Sequence, residues 1–228
     1  MKITVVGSGR MGKILAAAMS GGNEVALYDA DRENALRVAE PLRLRVLSRL
    51  TEAVADAVVL AVPDKAVAAC VVELAATGRA WNVFSVATNI SREMLAGMAS
   101  KDVHCLNVKI IGHAGEMSRG SRAVLVIDQG EANLVELARQ VFATVGALVV
   151  GEADQVQRIN NAATESALRA AVALEHALGE AGIADPVMIR GALSQVAPGV
   201  LRAYAEDDLG PFAREIVDKI RRAESPNR

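Results

Sequence analysis

The first twelve residues constrain the fold more than any other part of the chain. An apolar strand, Lys2-Ile3-Thr4-Val5-Val6, runs directly into Gly7-Ser8-Gly9-Arg10-Met11-Gly12, and Ile14, Leu15, Ala18 and Met19 follow at helical spacing. Strand, glycine-rich turn and helix in immediate succession form a cradle for the phosphates of a dinucleotide. Gly7 is expected to make the tight turn off the strand. Gly9 lets the backbone approach a pyrophosphate with no Cβ between them, and Gly12 brings the helix close to the sheet. Ser8, Arg10 and Met11 complete the loop, whose free N–H groups and helix dipole favour negative charge. A second strand, Glu24 to Tyr28, ends at Asp29, an acid about 20 positions past the motif, where the adenosine ribose is gripped. Asp29 accepts hydrogen bonds from ribose hydroxyls and repels a 2′-phosphate, which predicts NAD; Arg32 would pair with that phosphate if Asp29 turned away, leaving NADP open.

Strand and helix patterns then alternate, the signature of a parallel sheet with crossover helices. Asp31 reads as a helix cap, with Pro41 ending that helix, and a short strand falls near Leu44 to Leu47. Thr51 and Glu52 start a helical turn. Asp56 to Val62 is an almost purely apolar run, the mark of a central strand. Pro63-Asp64 stops it and caps a helix from Lys65 to Thr77. Strands follow at Trp81 to Val86 and Val103 to Val108, with Ser91 and Glu93 opening the helix between them. Ala123 to Ile127 and Ala147 to Val150 flank a helix from about Glu131 to Val145, at the far edge of the sheet. From Ala153 onward no strand is expected: Val156, Ile159, Ala163, Ala167, Ala170, Leu174, Ala177 and Leu178 recur at helical spacing, giving a helix roughly 40 Å long at about 1.5 Å per residue. Shorter helices are expected at Pro186 to Val196, Pro198 to Tyr204 and Pro211 to Arg222, with a frayed tail from Glu224 to Arg228. The fold class is therefore α/β: a Rossmann-type doubly wound, mainly parallel sheet over residues 1–152, followed by a small all-α domain over 153–228.

That helical region is too small to cover so long an apolar stripe by itself. A homodimer is expected, its two sets of helices interleaving and placing each substrate pocket between a nucleotide domain and helical elements. Formal net charge is −2 with no dense basic block, which argues against nucleic acid as a partner and for a small-molecule substrate. No apolar run is long enough to span a bilayer, and Met1 stands directly before the first strand, so no membrane association and a cytoplasmic location are expected. Cys70 and Cys105 read as buried free thiols, and His104, His113 and His176 lack the spacing of paired ligands, so no metal site is predicted.

Ligands in open α/β sheets bind beyond the carboxyl ends of the strands. Ala61, Val62 and Pro63 end the central strand and are expected beside the cofactor. The stretch Asn107 to Glu116 places Lys109, His113 and Glu116 among glycines after an apolar strand. Lys109 would fix a carboxylate and His113 would donate a proton, unless the stretch is simply a solvated loop. At the start of the long helix, Asn160 shares a face with Thr164, and Asn161 with Glu165. Asn160, Asn161 and Thr164 would hold the nicotinamide carboxamide or the substrate if that face meets the cleft; otherwise they hydrate the helix and Glu165 pairs with Arg169.

The segment Lys2 to Gly12, the Ala61-Val62-Pro63 strand end and the helical tail together resemble the superfamily of small NAD(P)-dependent reductases that includes pyrroline-5-carboxylate reductase, deazaflavin-dependent NADP reductases and prephenate dehydrogenase. The resemblance implies hydride transfer. The chain departs from individual members. Nothing after Asp185 matches the Ser/Thr- and Gly-rich substrate loop of pyrroline-5-carboxylate reductase. The Asn160-Asn161 pair is similar to that of 3-hydroxyacid dehydrogenases, but their catalytic lysine aligns with Gln157. His113-Ala114-Gly115-Glu116 is similar to a His-containing glycine segment of prephenate dehydrogenases. Reducing a ketone needs a proton donor, whereas a protonated imine is already electrophilic, so the absent lysine favours imine reduction, while His113 or Lys109 as donor would keep ketone or enone reduction open; the expected substrate is a small, carboxylate-bearing imine or carbonyl compound. The alternative is a dinucleotide-binding sensor or assembly protein without catalysis.

Overall fold

The computed structural model describes residues 1–224; of the expected frayed tail, residues 225–228 lie outside the described part. Contacts divide the chain into Met1–Ala162 and Ala163–Arg228. The division falls within the long helix rather than at residue 152, because Ala153 and Val156, in and before its first turn, are buried in the first unit.

The first unit is built on β1 (Lys2–Val6), α1 (Arg10–Ser20), β2 (Glu24–Tyr28), α2 (Arg32–Ala39), β3 (Arg45–Val46), β4 (Ala57–Leu60), α3 (Asp64–Ala75), β5 (Trp81–Ser85), α4 (Arg92–Ala96), β6 (Val103–Ile111), α5 (Ala114–Ser118), β7 (Ala123–Asp128), α6 (Ala132–Phe142) and β8 (Gly146–Gly151), with a 3₁₀ turn at Leu50–Glu52. The eight strands form one sheet in the order β3-β2-β1-β4-β5-β6-β7-β8. All neighbours run parallel except β6 and β7. Alternation along each strand feeds two cores. Ala57 and Val59 of β4 join Val5, Leu15, Phe84 and Phe142 on one face, while Val58 and Leu60 join Val67, Leu74, Trp81 and Val83 on the other. Phe84 and Phe142 meet edge to face, with centroids 5.9 Å apart. The caps expected from sequence are present: Asp31 accepts from the Asn34 amide and Ser91 from that of Met94.

Two local expectations are corrected. β6 continues through Ile111 instead of ending at Val108, because the charge that signals a strand end, Lys109, is satisfied inside the fold. The following stretch is not a plain loop, since 114–118 closes a helical turn, α5.

The long helix α7 (Gln155–Glu180) begins in the first unit and continues into the second. The second unit further contains α8 (Pro186–Gly191), α9 (Ala197–Ala205) and α10 (Pro211–Glu224). α8 and α9 are joined without a break by a π-helical turn, Ala192–Val196, where two separate helices were expected. Pro198 lies in the first turn of α9, and the wider turn before it accommodates the missing N–H. None of the described residues from 163 onward is buried within the single chain, although Leu168, Val172, Met188, Leu201, Phe212 and Ile220 are among them. Among the described residues no helix is long and apolar enough to cross a membrane.

Candidate functional site

β1 delivers the glycine loop to the carboxyl edge of the sheet. Gly7 has φ +101°, and a side chain there would overlap the Ala61 carbonyl; one on Gly12 would overlap the carbonyl of Gly7. Loop, helix and the end of β4 are thus packed at backbone contact. Gly9 differs: a Cβ there would meet nothing within 4 Å. The protein gives no reason of its own for glycine at this position, and the open space lies at the N-cap of α1, where no side chain satisfies the first amides.

Ser8 and Asp29 lock this loop to the end of β2. Asp29 Oδ2 accepts from the Ser8 amide at 2.5 Å and the Ser8 hydroxyl at 2.7 Å, and Oδ1 accepts from the Asp31 amide at 2.9 Å. Asn34 Nδ2 donates to Ser8 Oγ at 2.6 Å and to the Ser8 carbonyl at 3.1 Å. Partial burial pushes the Asp29 carboxyl up, but the hydrogen bonds from Ser8 and nearby amides outweigh it and hold the group below its ordinary value. Arg32 opens α2 and is exposed. Asp29 therefore remains charged beside the cradle, held by Ser8 and by the amides of Ala30 and Asp31.

Next to the loop lies a cleft of about 350 Å³ at the carboxyl ends of β4, β5 and β6. Met11, Ala61, Val62, Pro63 and Asn160 line it, so five of the residues singled out in the sequence meet there. Asp64, Thr88, Asn89 and Gly112 also line it. Asn89 Nδ2 donates to Asp64 Oδ2 at 2.6 Å, and Gln157 Nε2 donates to Asn89 Oδ1 at 2.8 Å. Asn160 Nδ2 donates to the Ile110 carbonyl at 2.9 Å, fixing the start of α7 against β6. The Asp64–Asn89–Gln157 chain escaped the sequence reading as a unit. Its signal was the position of Asp64 and Asn89 just past two adjacent parallel strands.

Lys109, Asn161 and His113 are not among the lining residues. Lys109 is 1% exposed, within β6, and its ammonium donates to the carbonyls of Ala87, Thr88 (3.3 Å) and Ile90 (2.6 Å). Burial pushes its pKa down, countered by the carboxylates of Asp154, Asp64 and Asp128. Its donors are spent on the loop after β5, which supplies Thr88 and Asn89 to the cleft. His113 is exposed and precedes α5. Asn161 is exposed, and Thr164 belongs to the second unit, where Glu165 pairs with Arg169 at 2.6 Å.

Residues 2–159 match the family model for the NAD binding domain of 6-phosphogluconate dehydrogenase. No curated protein matches the sequence significantly. Among solved structures, a pyrroline-5-carboxylate reductase from Coxiella burnetii is similar at 17% identity and a TM-score of 0.74, covering 96% of this chain and 84% of that one. An imine reductase variant from Myxococcus stipitatus in complex with NAD+ is 20% identical with a TM-score of 0.64, covering 90% and 74%. A pyrroline carboxylate reductase from Plasmodium falciparum with NADP bound is 13% identical with a TM-score of 0.66, covering 96% and 84%. At these identities the likeness is one of fold.

Proposed function

The chain belongs to the family of the NAD binding domain of 6-phosphogluconate dehydrogenase, and on that premise we propose that it is an NAD(P)-dependent oxidoreductase acting on a small imine or carbonyl compound. The observation that carries this reading is the empty side-chain position at Gly9 over the uncapped start of α1. There the main-chain amides at the start of α1 and the positive end of its dipole would hold a diphosphate. Asp29 would accept from a ribose hydroxyl, which favours NAD over its 2′-phosphorylated form, with Arg32 the residue that would serve NADP. Bound nicotinamide supplies the hydride donor or acceptor.

The cleft residues argue for the imine. Asp64 is the one titratable side chain among those lining it, accompanied by the neutral Thr88, Asn89 and Asn160. A ketone needs a proton for its forming alkoxide, and Lys109 and His113 do not line this cleft. A protonated imine needs positioning and a compatible charge nearby; the Asp64 carboxylate, oriented by Asn89, supplies the charge, and Asn160 the positioning. Lys109 holds the loop that carries Asn89. Asn161 and Thr164 stand as further polar candidates on α7, and His113 as a proton donor for a carbonyl substrate. Two copies of the chain, covering each other's helical faces, form the functional species.

Calorimetry with NADH and NADPH, followed by turnover over a panel of cyclic imines and keto acids, tests this. Saturable binding with NADH tighter, and oxidation of NADH by an imine, is expected. Absence of any complex at millimolar nucleotide overturns the reading, and binding without turnover of any panel member would leave a nucleotide sensor in its place.

A further inference from the structure

The cleft beside the glycine loop carries a fixed negative charge that dinucleotide binding alone does not call for. Among the described residues lining it, Asp64 is the one with a titratable side chain. Its carboxylate is clamped by Asn89, whose Nδ2 donates to Oδ2 at 2.6 Å and whose backbone amide donates to Oδ1 at 3.4 Å. Gln157 Nε2 in turn fixes the Asn89 side chain at 2.8 Å. Asp64 is also the first residue of α3, where the positive end of the helix dipole favours a carboxylate.

Neighbouring cations leave this charge largely uncompensated within the cleft. Lys65, the next residue, is exposed and does not line it. The Lys109 ammonium is buried, donates to three loop carbonyls and faces Asp154 ahead of Asp64 and Asp128. Position gives the charge a target. Met11 and the β4 end, Ala61 to Pro63, line the same cleft, which therefore continues from the diphosphate seat across β4, β5 and β6. Asp29 lies at the opposite side, after β2, and takes the adenosine half, which leaves the nicotinamide half to the Asp64 side.

We propose that Asp64 sets the redox preference of this site, strengthening the binding of NAD+ relative to NADH; the inference rests on the nucleotide site proposed above. The two forms differ by one positive charge, carried on the nicotinamide ring. A ring seated in a cleft of about 350 Å³ lies on the order of 10 Å or less from a lining carboxylate, where a unit charge changes affinity roughly three- to twentyfold. By linkage, each tenfold of preference for NAD+ lowers the two-electron reduction potential of the bound couple by about 30 mV, making bound NADH the stronger reductant. Imine reduction uses the same charge twice. As the imine carbon gains a hydride, its C=N π pair passes to nitrogen and the positive charge leaves the imine for the nicotinamide, so one carboxylate faces a cation before and after.

Calorimetry on the full chain with NAD+, NADH and ADP-ribose, which has the diphosphate but no nicotinamide, tests this without any turnover. Asp64→Asn should raise the ratio of the NAD+ Kd to the NADH Kd at least threefold, the loss falling on NAD+, with ADP-ribose within twofold of wild type. Asp64→Ser provides a second uncharged variant with the same expectation, and Asp64→Glu should bring the ratio back to within twofold of wild type. An unchanged ratio in the uncharged variants overturns the role of Asp64 while leaving the nucleotide site standing. Equal weakening of ADP-ribose and NAD+ also overturns it, since Asp64 would then be holding only the loop's shape. Failure of the wild type to bind either nucleotide removes the nucleotide site itself, and this inference with it.

Discussion

Each glycine of the amino-terminal loop answers to a different neighbour, and substitution separates them. Gly9 has extended backbone and open space around its missing side chain. Gly9→Val should therefore cost the fold only about 1 kcal/mol, the usual loss on putting a β-branched residue at a helix N-cap. The same change should weaken NADH at least tenfold, about 1.4 kcal/mol, because the valine fills the phosphate seat. Gly12→Ala overlaps the Gly7 carbonyl and should cost about 1–3 kcal/mol in the fold itself, read by urea denaturation. If Gly9→Val bound NADH normally, the loop would not be the phosphate site. At Asp29 the prediction concerns pH. Its folded carboxyl lies below the ordinary 3.8, so the stability it contributes is present above that value and lost as pH falls through the folded one. Asp29→Asn should lower the Tm at pH 7, and the gap from wild type should narrow steadily below pH about 4. A gap independent of pH would mean that the charge of Asp29 does not matter.

At the scale of elements, β6 and the loop after β5 form one mechanical unit through Lys109. A lysine in an apolar strand is normally a reason to end the strand, and here it does not, because three carbonyls of the neighbouring loop accept its ammonium. Lys109→Met keeps the volume and removes the donors. It should destabilise the fold by about 1–3 kcal/mol, the cost of stranded buried carbonyls, and loosen Thr88 and Asn89. Imine KM should rise with little loss of Gly-loop affinity for NADH. A Lys109→Met protein with wild-type stability and kinetics would show that the loop holds its shape unaided. The sequence marked Lys109 as special and mistook the reason, since a charged residue after an apolar run reads the same whether it faces ligand or main chain.

At the scale of the molecule, the helical unit exposes a groove of about 550 Å³ lined by Leu201, Tyr204, Phe212 and Ile216 among others. This is the face that the homodimer proposed above would cover. Light scattering at micromolar concentration should return the mass of a dimer, and Phe212→Glu should return that of a monomer that still binds NADH; a wild-type monomer would refute the association. The sequence by itself determined most of the elements, their order and the glycine turn, because strand periodicity, caps such as Asp31 and Ser91, and the spacing of Gly7, Gly9 and Gly12 are local properties of the chain. Tertiary structure alone decided that Asp64, Asn89 and Gln157 form one hydrogen-bonded chain and that Lys109 turns inward. Those outcomes depend on which strands become neighbours and where each pairing stops, and contacts between residues far apart in sequence leave no mark on the residues that flank them.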